Sequence, residues 1–127
     1  MTSRQIINKI SFRLAASGDW QRVWQLEQQS GSKFFMACQN EEGVKKYLAE
    51  SQVFFITKNR KPIGTISYKN LKNNSVLING LTILPAYRGR GIASAAIKKL
   101  LNRLKGKNMK LIVHPQNTPA LLIYLRD

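Results

Sequence analysis

Cysteine and histidine occur once each in this sequence, as Cys38 and His114. A lone cysteine excludes an internal disulfide and fits a reducing compartment. A single histidine excludes Cys/His zinc sites and leaves a Ser-His-Asp triad one base to draw on, so no metal is expected. No apolar run approaches the roughly 20 residues that span a bilayer. Residues 1–9 have no apolar core of the signal-peptide type. Repeats, low-complexity runs and Gly/Ser/Pro-rich linkers are missing as well. Together these absences predict a cytoplasmic protein with no membrane partner, built as a single domain over residues 1–127. The hydrophobic content of 43% argues against disorder, and the length suffices to bury a core without staples.

Acidic residues are scarce and unevenly placed. Six Asp and Glu face 21 Lys and Arg, for a formal net charge of +15. Residues 1–50 hold seven of the bases and five of the acids, a net of +2, whereas residues 51–127 hold fourteen bases and one acid, Asp127, a net of +13. Such a chain attracts polyanions: phosphorylated cofactors, RNA, DNA or acidic protein surfaces. A solvated basic face with no dedicated partner reads equally well from charge alone.

Ile10, Phe12 and Leu14 alternate with Ser11 and Arg13, the period of a half-buried strand. Ser17 stands where a helix N-cap belongs, Asp19 adds an acid to the first turn, and Trp20, Val23 and Trp24 recur at helical spacing. Ser30-Gly31-Ser32 breaks this helix, and Phe34-Phe35-Met36 follows in a loop. Asn40 caps a second helix with Val44, Tyr47 and Leu48 inward. Val53–Thr57 and Ile63–Tyr68 are strands joined by a turn at Asn59-Arg60-Lys61-Pro62. After a loop over Leu71–Ser75, Val76–Leu84 is a third strand of this group, interrupted at Asn79-Gly80 by a bulge or a close backbone approach. Ala93, Ala96, Ile97, Leu100, Leu101 and Leu104 form the apolar stripe of a helix ended by Gly106. Leu111–Val113 is a short strand and Thr118–Leu125 a last helix, with Pro119 near its start. The order implies an α/β fold with a mixed sheet and flanking helices.

The stretch from Leu81 through Thr82, Ile83 and Pro85 to Ala93 carries the chemistry. It runs from a strand through a Gly/Arg turn into a helix. Backbone N–H groups at a helix start, with the positive end of its dipole, suit a phosphate or pyrophosphate. Gly89 and Gly91 let the backbone approach that anion, Ala93 permits close packing, and Arg88 and Arg90 bring charge to the rim. Taken alone, a bare Gly-x-Gly is more simply an ordinary strand-to-helix turn with glycine for positive φ. Neither Gly-x-x-x-x-Gly-Lys-Ser/Thr nor a full Gly-x-Gly-x-x-Gly occurs.

Arg88-Gly89-Arg90-Gly91-Ile92-Ala93, preceded by Pro85-Ala86-Tyr87, resembles the acetyl-CoA loop of the GNAT superfamily of N-acetyltransferases, Arg/Gln-x-x-Gly-x-Gly/Ala. Three further stretches are similar in the same order: Phe12–Ala15 before Asp19-Trp20, Pro62-Ile63-Gly64, and Asn117-x-x-Ala120-x-x-x-Tyr124. The resemblance implies a GNAT-like sheet that binds acetyl-CoA as co-substrate. It further implies direct transfer of the acetyl group to a primary amine of a small molecule or protein in a ternary complex. Backbone groups of Leu81 and Ile83 would pair with the pantetheine arm as a missing strand does, and an N–H near Leu81 would hold the oxyanion. Tyr124 matches the tyrosine that protonates the departing thiolate, and Asn117 would bond the pantetheine or adenylate region or cap its helix.

The pattern departs from the family in two places. An alkyl ammonium must lose a proton before it attacks, yet no acid lies between Glu50 and Asp127, so the sheet supplies no carboxylate base. His114, Glu27, Glu41 and Glu42 are the other candidates for that role. Relatives also continue past the tyrosine into two more strands, which this chain is expected to lack. Truncation, a homodimer covering the Leu111–Val113 edge, or a degenerate CoA binder would each account for this. The alternative function is a non-catalytic CoA-binding module, or one that uses its basic surface on RNA or a ribosomal particle. No aromatic–basic strip of the base-stacking type is interleaved along the sequence.

Overall fold

The structure, a computed structural model, describes residues 9–30 and 40–111. Short apolar runs and tight turns lay out a five-stranded sheet: β1 (Ile10–Leu14), β2 (Gln52–Lys58), β3 (Lys61–Leu71), β4 (Ser75–Ile83) and β5 (Asn108–Leu111). The strands lie in that order, antiparallel from β1 to β4, with β5 parallel to β4. β1 has the predicted limits, although Leu14 at its end is exposed. β5 begins three residues earlier than the periodicity indicated and includes Leu111, while Ile112 and Val113 of the expected strand lie outside the described residues.

Both hairpin turns use left-handed residues. Lys58 pairs with Lys61, so the β2–β3 loop is only Asn59-Arg60, with φ of 52° and 64°. That is the primed turn whose twist matches the strands, and it places Lys61 and Pro62 inside β3 rather than in the turn. Between β3 and β4, Asn73 and Asn74 take φ of 62° and 57°, a conformation their short polar side chains tolerate.

Helices cover both faces. A 3₁₀ turn at Ser17–Asp19 leads into α1 (Trp20–Ser30), followed by α2 (Glu41–Glu50) and, after β4, α3 (Ile92–Arg103). Asn40 caps α2 as expected, its Oδ1 accepting the Gly43 N–H at 2.8 Å. Ser17 is not the cap of its turn. Ala16 holds that position, and the Asp19 carboxylate accepts the Ala16 N–H at 2.9 Å. A carboxylate reaching back to the cap N–H is half of a capping box.

Against α3 lies a dry layer in which Phe54, Ile56, Ile63, Ile66, Val76, Ile78 and Ile83 meet Ile92, Ala95, Ala96, Ile97, Leu100 and Leu104. On the other face Val23, Leu26 and Val44 of α1 and α2 pack on Phe55, with Trp20, Trp24, Tyr47, Leu48 and Leu84 around them. Each fully buried aliphatic side chain of this size contributes about 1.5–3 kcal/mol.

β4 serves both layers by changing phase. Ser67 pairs with Gly80 and Tyr68 with Ile78, so Asn79 is the extra residue of a bulge. Strand alternation inverts there. Even-numbered Val76 and Ile78 reach the α3 layer before the bulge, and odd-numbered Leu81 and Ile83 reach it afterwards. The bulge therefore keeps an apolar residue toward α3 along the whole strand while turning Asn79 and Gly80 toward α2.

Candidate functional site

The bulge and the turn beyond it place the predicted cofactor residues along one path. β5 pairs with β4 from Ser75↔Asn108 to Ile78↔Leu111. Among the described residues, β4 beyond that point is paired only with β3, through Gly80, Leu81, Thr82 and Ile83. Among the described residues, one backbone edge of that segment thus has no strand beside it. Leu81 is half-buried, and Thr82 and Ile83 are buried at 4% and 8% exposure. On the paired side, Gly64 lets β3 run close to β4, since a Cβ there would lie 2.1 Å from the Thr82 carbonyl oxygen.

After Ile83 the chain makes a 3₁₀ turn at Pro85–Tyr87 and then the Gly/Arg turn. Gly89 and Gly91 have φ of 75° and 77°, in the left-handed region that side chains disfavour. Gly91 is the N-cap of α3 and offers no side chain to cap it. The first helical bond runs from the Ala95 N–H to the Gly91 carbonyl at 3.0 Å. The N–H groups of Ile92, Ala93 and Ser94 precede that bond and have no carbonyl within the helix to donate to. Ile92 is buried at 3% exposure and anchors the start of α3, and Ala93 is half-buried beside it. Arg88 and Arg90 are both exposed. Arg88 Nε donates to the Ile83 carbonyl at 3.0 Å and ties the turn to the end of β4. The Arg90 guanidinium lies 5.7 Å from the Tyr87 ring centre. Donors and cations converge on one exposed turn, with no acid beside it in sequence.

A second feature was not anticipated. Toward α2, the Tyr47 hydroxyl donates to Ser67 Oγ, Ser67 Oγ donates to Asn79 Oδ1 at 2.7 Å, and Asn79 Nδ2 donates to Ser51 Oγ at 3.0 Å. Ser67 is fully buried and Ser51 nearly so, while Tyr47 and Asn79 are half-buried. Gly80 makes room for this chain. A Cβ on it would stand 2.5 Å from both Ser67 Oγ and the Tyr47 hydroxyl. Asn79-Gly80 pointed to the bulge, but Tyr47 read only as an inward helix residue. A serine at the inward phase of β3 was the remaining signal.

Of the candidate bases, Glu41 pairs with Lys45 at 3.2 Å on the outside of α2, Glu42 is exposed, and Glu27 is half-buried on α1. β2 to β5 carry no carboxylate. Tyr124, Asn117, His114 and the Phe34-Phe35-Met36 loop lie outside the described residues. No cluster of metal-ligating side chains occurs among the described residues, and no helix among them is long and apolar enough to cross a membrane. The sheet does assemble an aromatic–basic group that the linear sequence lacks. Phe12, Phe54 and Tyr68 stack across β1–β3, and Arg103 lies 5.5 Å and 5.1 Å from the rings of Phe12 and Phe54. Phe54 is buried at 8% exposure, so this group packs α3 onto the sheet.

Residues 20–126 match the model of the Acetyltransferase (GNAT) family. Among solved structures, the fold is similar to that of an acetyltransferase from Thermus thermophilus. The TM-score is 0.75 at 17% identity, over 93% of this chain and 84% of that one. It is also similar to a Salmonella typhimurium acetyltransferase that modifies the N-terminal serine of a ribosomal subunit protein. There the TM-score is 0.75 at 14% identity, over 95% and 80% of the two chains. A third similar structure is an N-acetyltransferase from Thermoplasma acidophilum in complex with coenzyme A. Its TM-score is 0.66 at 16% identity, over 92% and 87%. A search of curated protein sequences gave no significant match.

Proposed function

Because the chain belongs to the GNAT acetyltransferase family, we propose that it moves an acetyl group from acetyl-CoA to a primary amine of a small molecule or protein, by direct attack in a ternary complex. The observation that carries this reading is the β4 path: a bulge at Asn79, a strand edge over Leu81–Ile83, then two left-handed glycines opening onto the uncapped start of α3. The pyrophosphate sits on the N–H groups of Gly89 and Gly91–Ala93, with Arg88 and Arg90 at the rim. Leu81 and Ile83 pair with the pantetheine amides, and Thr82 holds β4 to the core between them. The thioester carbonyl then lies beside the bulge, where the N–H near Leu81 stabilises the tetrahedral oxyanion. Tyr124 protonates the leaving thiolate, and Asn117 bonds the cofactor along the way. The whole of residues 1–127 forms one cytoplasmic domain, and a second copy of the chain covers the β5 edge.

The second reading is a CoA-binding or RNA-associated module without catalysis. It is favoured by the absence of a carboxylate from β2–β5 and by the net +13 of residues 51–127. Acetyl-CoA titration followed by CoA release with a panel of amines separates the two. The enzyme reading requires release that Tyr124→Phe slows. Tight binding with no release for any amine favours the module.

A further inference from the structure

A β-bulge leaves its strand locally unsupported, because the extra residue drops out of the ladder that fixes backbone direction. In β4 that gap lies just ahead of the amide on which the proposed transfer depends. Among the described residues Asn79 has no ladder partner: β3 pairs with Ile78 and then Gly80, and β5 pairs no further than Ile78. Beyond the gap the ladder resumes, and the Leu84 N–H donates to the Ile63 carbonyl at 2.9 Å. Strand alternation therefore turns the N–H groups of Leu81 and Ile83 away from β3, toward the open edge. In keeping with this, the Ile83 carbonyl accepts Arg88 Nε rather than a β3 amide. The peptide that carries the Leu81 N–H begins at Gly80, whose conformational freedom loosens the joint further.

Side chains stand in for the missing ladder bonds. Asn79 Oδ1 accepts from Ser67 Oγ at 2.7 Å, and Asn79 Nδ2 donates to Ser51 Oγ at 3.0 Å. The carboxamide is thus strung between two buried supports, Ser67 in β3 opposite Gly80 and Ser51 at the C-cap of α2. One turn earlier α2 is tied to the same point of β3, where the Tyr47 hydroxyl donates to Ser67 Oγ. A Cβ on Gly80 would lie 2.5 Å from both Ser67 Oγ and the Tyr47 hydroxyl. The glycine that loosens the joint is therefore also what lets this strut lie against it.

We infer that Asn79 is a positioning residue for acetyl transfer: its carboxamide, held between Ser67 and Ser51, sets the bulge so that the Leu81 N–H faces the thioester carbonyl. The inference rests on the acetyl-transfer reading above and deepens it. Asn79 acts through the backbone, and its worth is preorganisation, since an oxyanion donor must be aimed before charge develops. A shift of about 1 Å in such a donor can cost about a hundredfold in rate. The turn at Gly89 and Gly91 is separated from the bulge by the paired residues Leu81, Thr82 and Ile83. Loss of the strut should therefore lower kcat and leave CoA affinity in place.

The test uses the full chain with an amide label, titrated with CoA and with acetyl-CoA, and then CoA release with the amine panel. In wild type the Leu81 amide proton should move further downfield with acetyl-CoA than with CoA, because only acetyl-CoA brings a carbonyl to accept it. Asn79→Ala should abolish that difference and lower kcat by about a hundredfold, with the shifts at Gly89 and Gly91 and the CoA affinity kept. Ser51→Ala, which removes one support, should lower kcat less, and Ser51→Thr, which keeps the hydroxyl, should restore it. Wild-type kcat in Asn79→Ala, or an acetyl-dependent Leu81 shift that survives the substitution, overturns the inference and leaves the acetyltransferase reading standing. A fall in kcat matched by lost CoA affinity also overturns it, as the mark of a structural role alone. Wild-type turnover without any acetyl-dependent shift at Leu81 does the same. No CoA release from wild type with any amine overturns both.

Discussion

The two faces of this sheet are built on different principles. The α3 face is aliphatic and nearly dry: Ile66, Val76 and Leu100 are fully buried, and the polar groups near its edge are Lys99, whose Nζ donates to the Ile10 carbonyl at 3.0 Å, and Arg103 over the Phe12 and Phe54 rings. The α1–α2 face also has an apolar centre, in Val23, Val44 and Phe55, but beside it stand a four-membered polar chain and the buried Trp24 Nε1, which has no hydrogen-bond partner among the described residues. An unpartnered buried donor costs about 1–3 kcal/mol. One face thus supplies stability, while the other gives some up for a shaped polar surface. The Asn79 bulge allows both in a single strand, because it rotates polar residues to one side without removing apolar residues from the other.

The sharpest break of this contrast is at Gly64. Its substitution by Ala sets a Cβ against the Thr82 backbone oxygen, and neither β3 nor β4 can yield. The expected loss is about 4 kcal/mol or more, read as a collapse of the denaturant midpoint. Leu100→Ala removes the centre of the α3 layer and should cost about 2–5 kcal/mol. On the polar face, Asn79→Ala leaves Ser67 and Ser51 without their shared partner and should cost less, about 1–3 kcal/mol. Its effect on acetyl transfer should exceed that of any α3-face substitution of equal stability cost. Equal losses of activity per unit of stability on both faces would erase the division of labour. The smallest effect is expected at the β2–β3 turn, where Arg60 holds φ of 64°. Arg60→Gly creates the Asn-Gly pair favoured by such turns and should raise stability by up to about 1 kcal/mol, seen as a higher melting temperature.

The sequence made the α3 face legible and the other face less so. Aliphatic residues at helical spacing in α3 and at strand spacing in β4 declare their layer directly, and Asn79-Gly80 announced the change of phase. The turn from Arg88 to Ala93 was legible because glycine at those positions answers a backbone demand, realised as two positive φ values. The first helical segment starts one residue earlier than the expected cap at Ser17 implied, because the Asp19 carboxylate reaches back to the Ala16 N–H and fixes Ala16 as the cap. The polar chain could not be read in advance. Tyr47, Ser51, Ser67 and Asn79 span 33 residues of sequence, and only the β3–β4 register with its skipped residue brings them together.

The central claim is that β4 beyond its bulge and the turn into α3 form the acetyl-CoA site. The most direct measurement is amide NMR of the labelled protein during titration with CoA. The largest shifts are expected at Leu81, Ile83, Gly89 and Gly91–Ala93, and Gly91→Glu should abolish them at the same ligand concentration. Shifts that spare these amides, or that instead centre on Lys72, Lys105 and Lys107 and vanish with modest salt, would contradict the claim and mark CoA as one more polyanion on a basic surface.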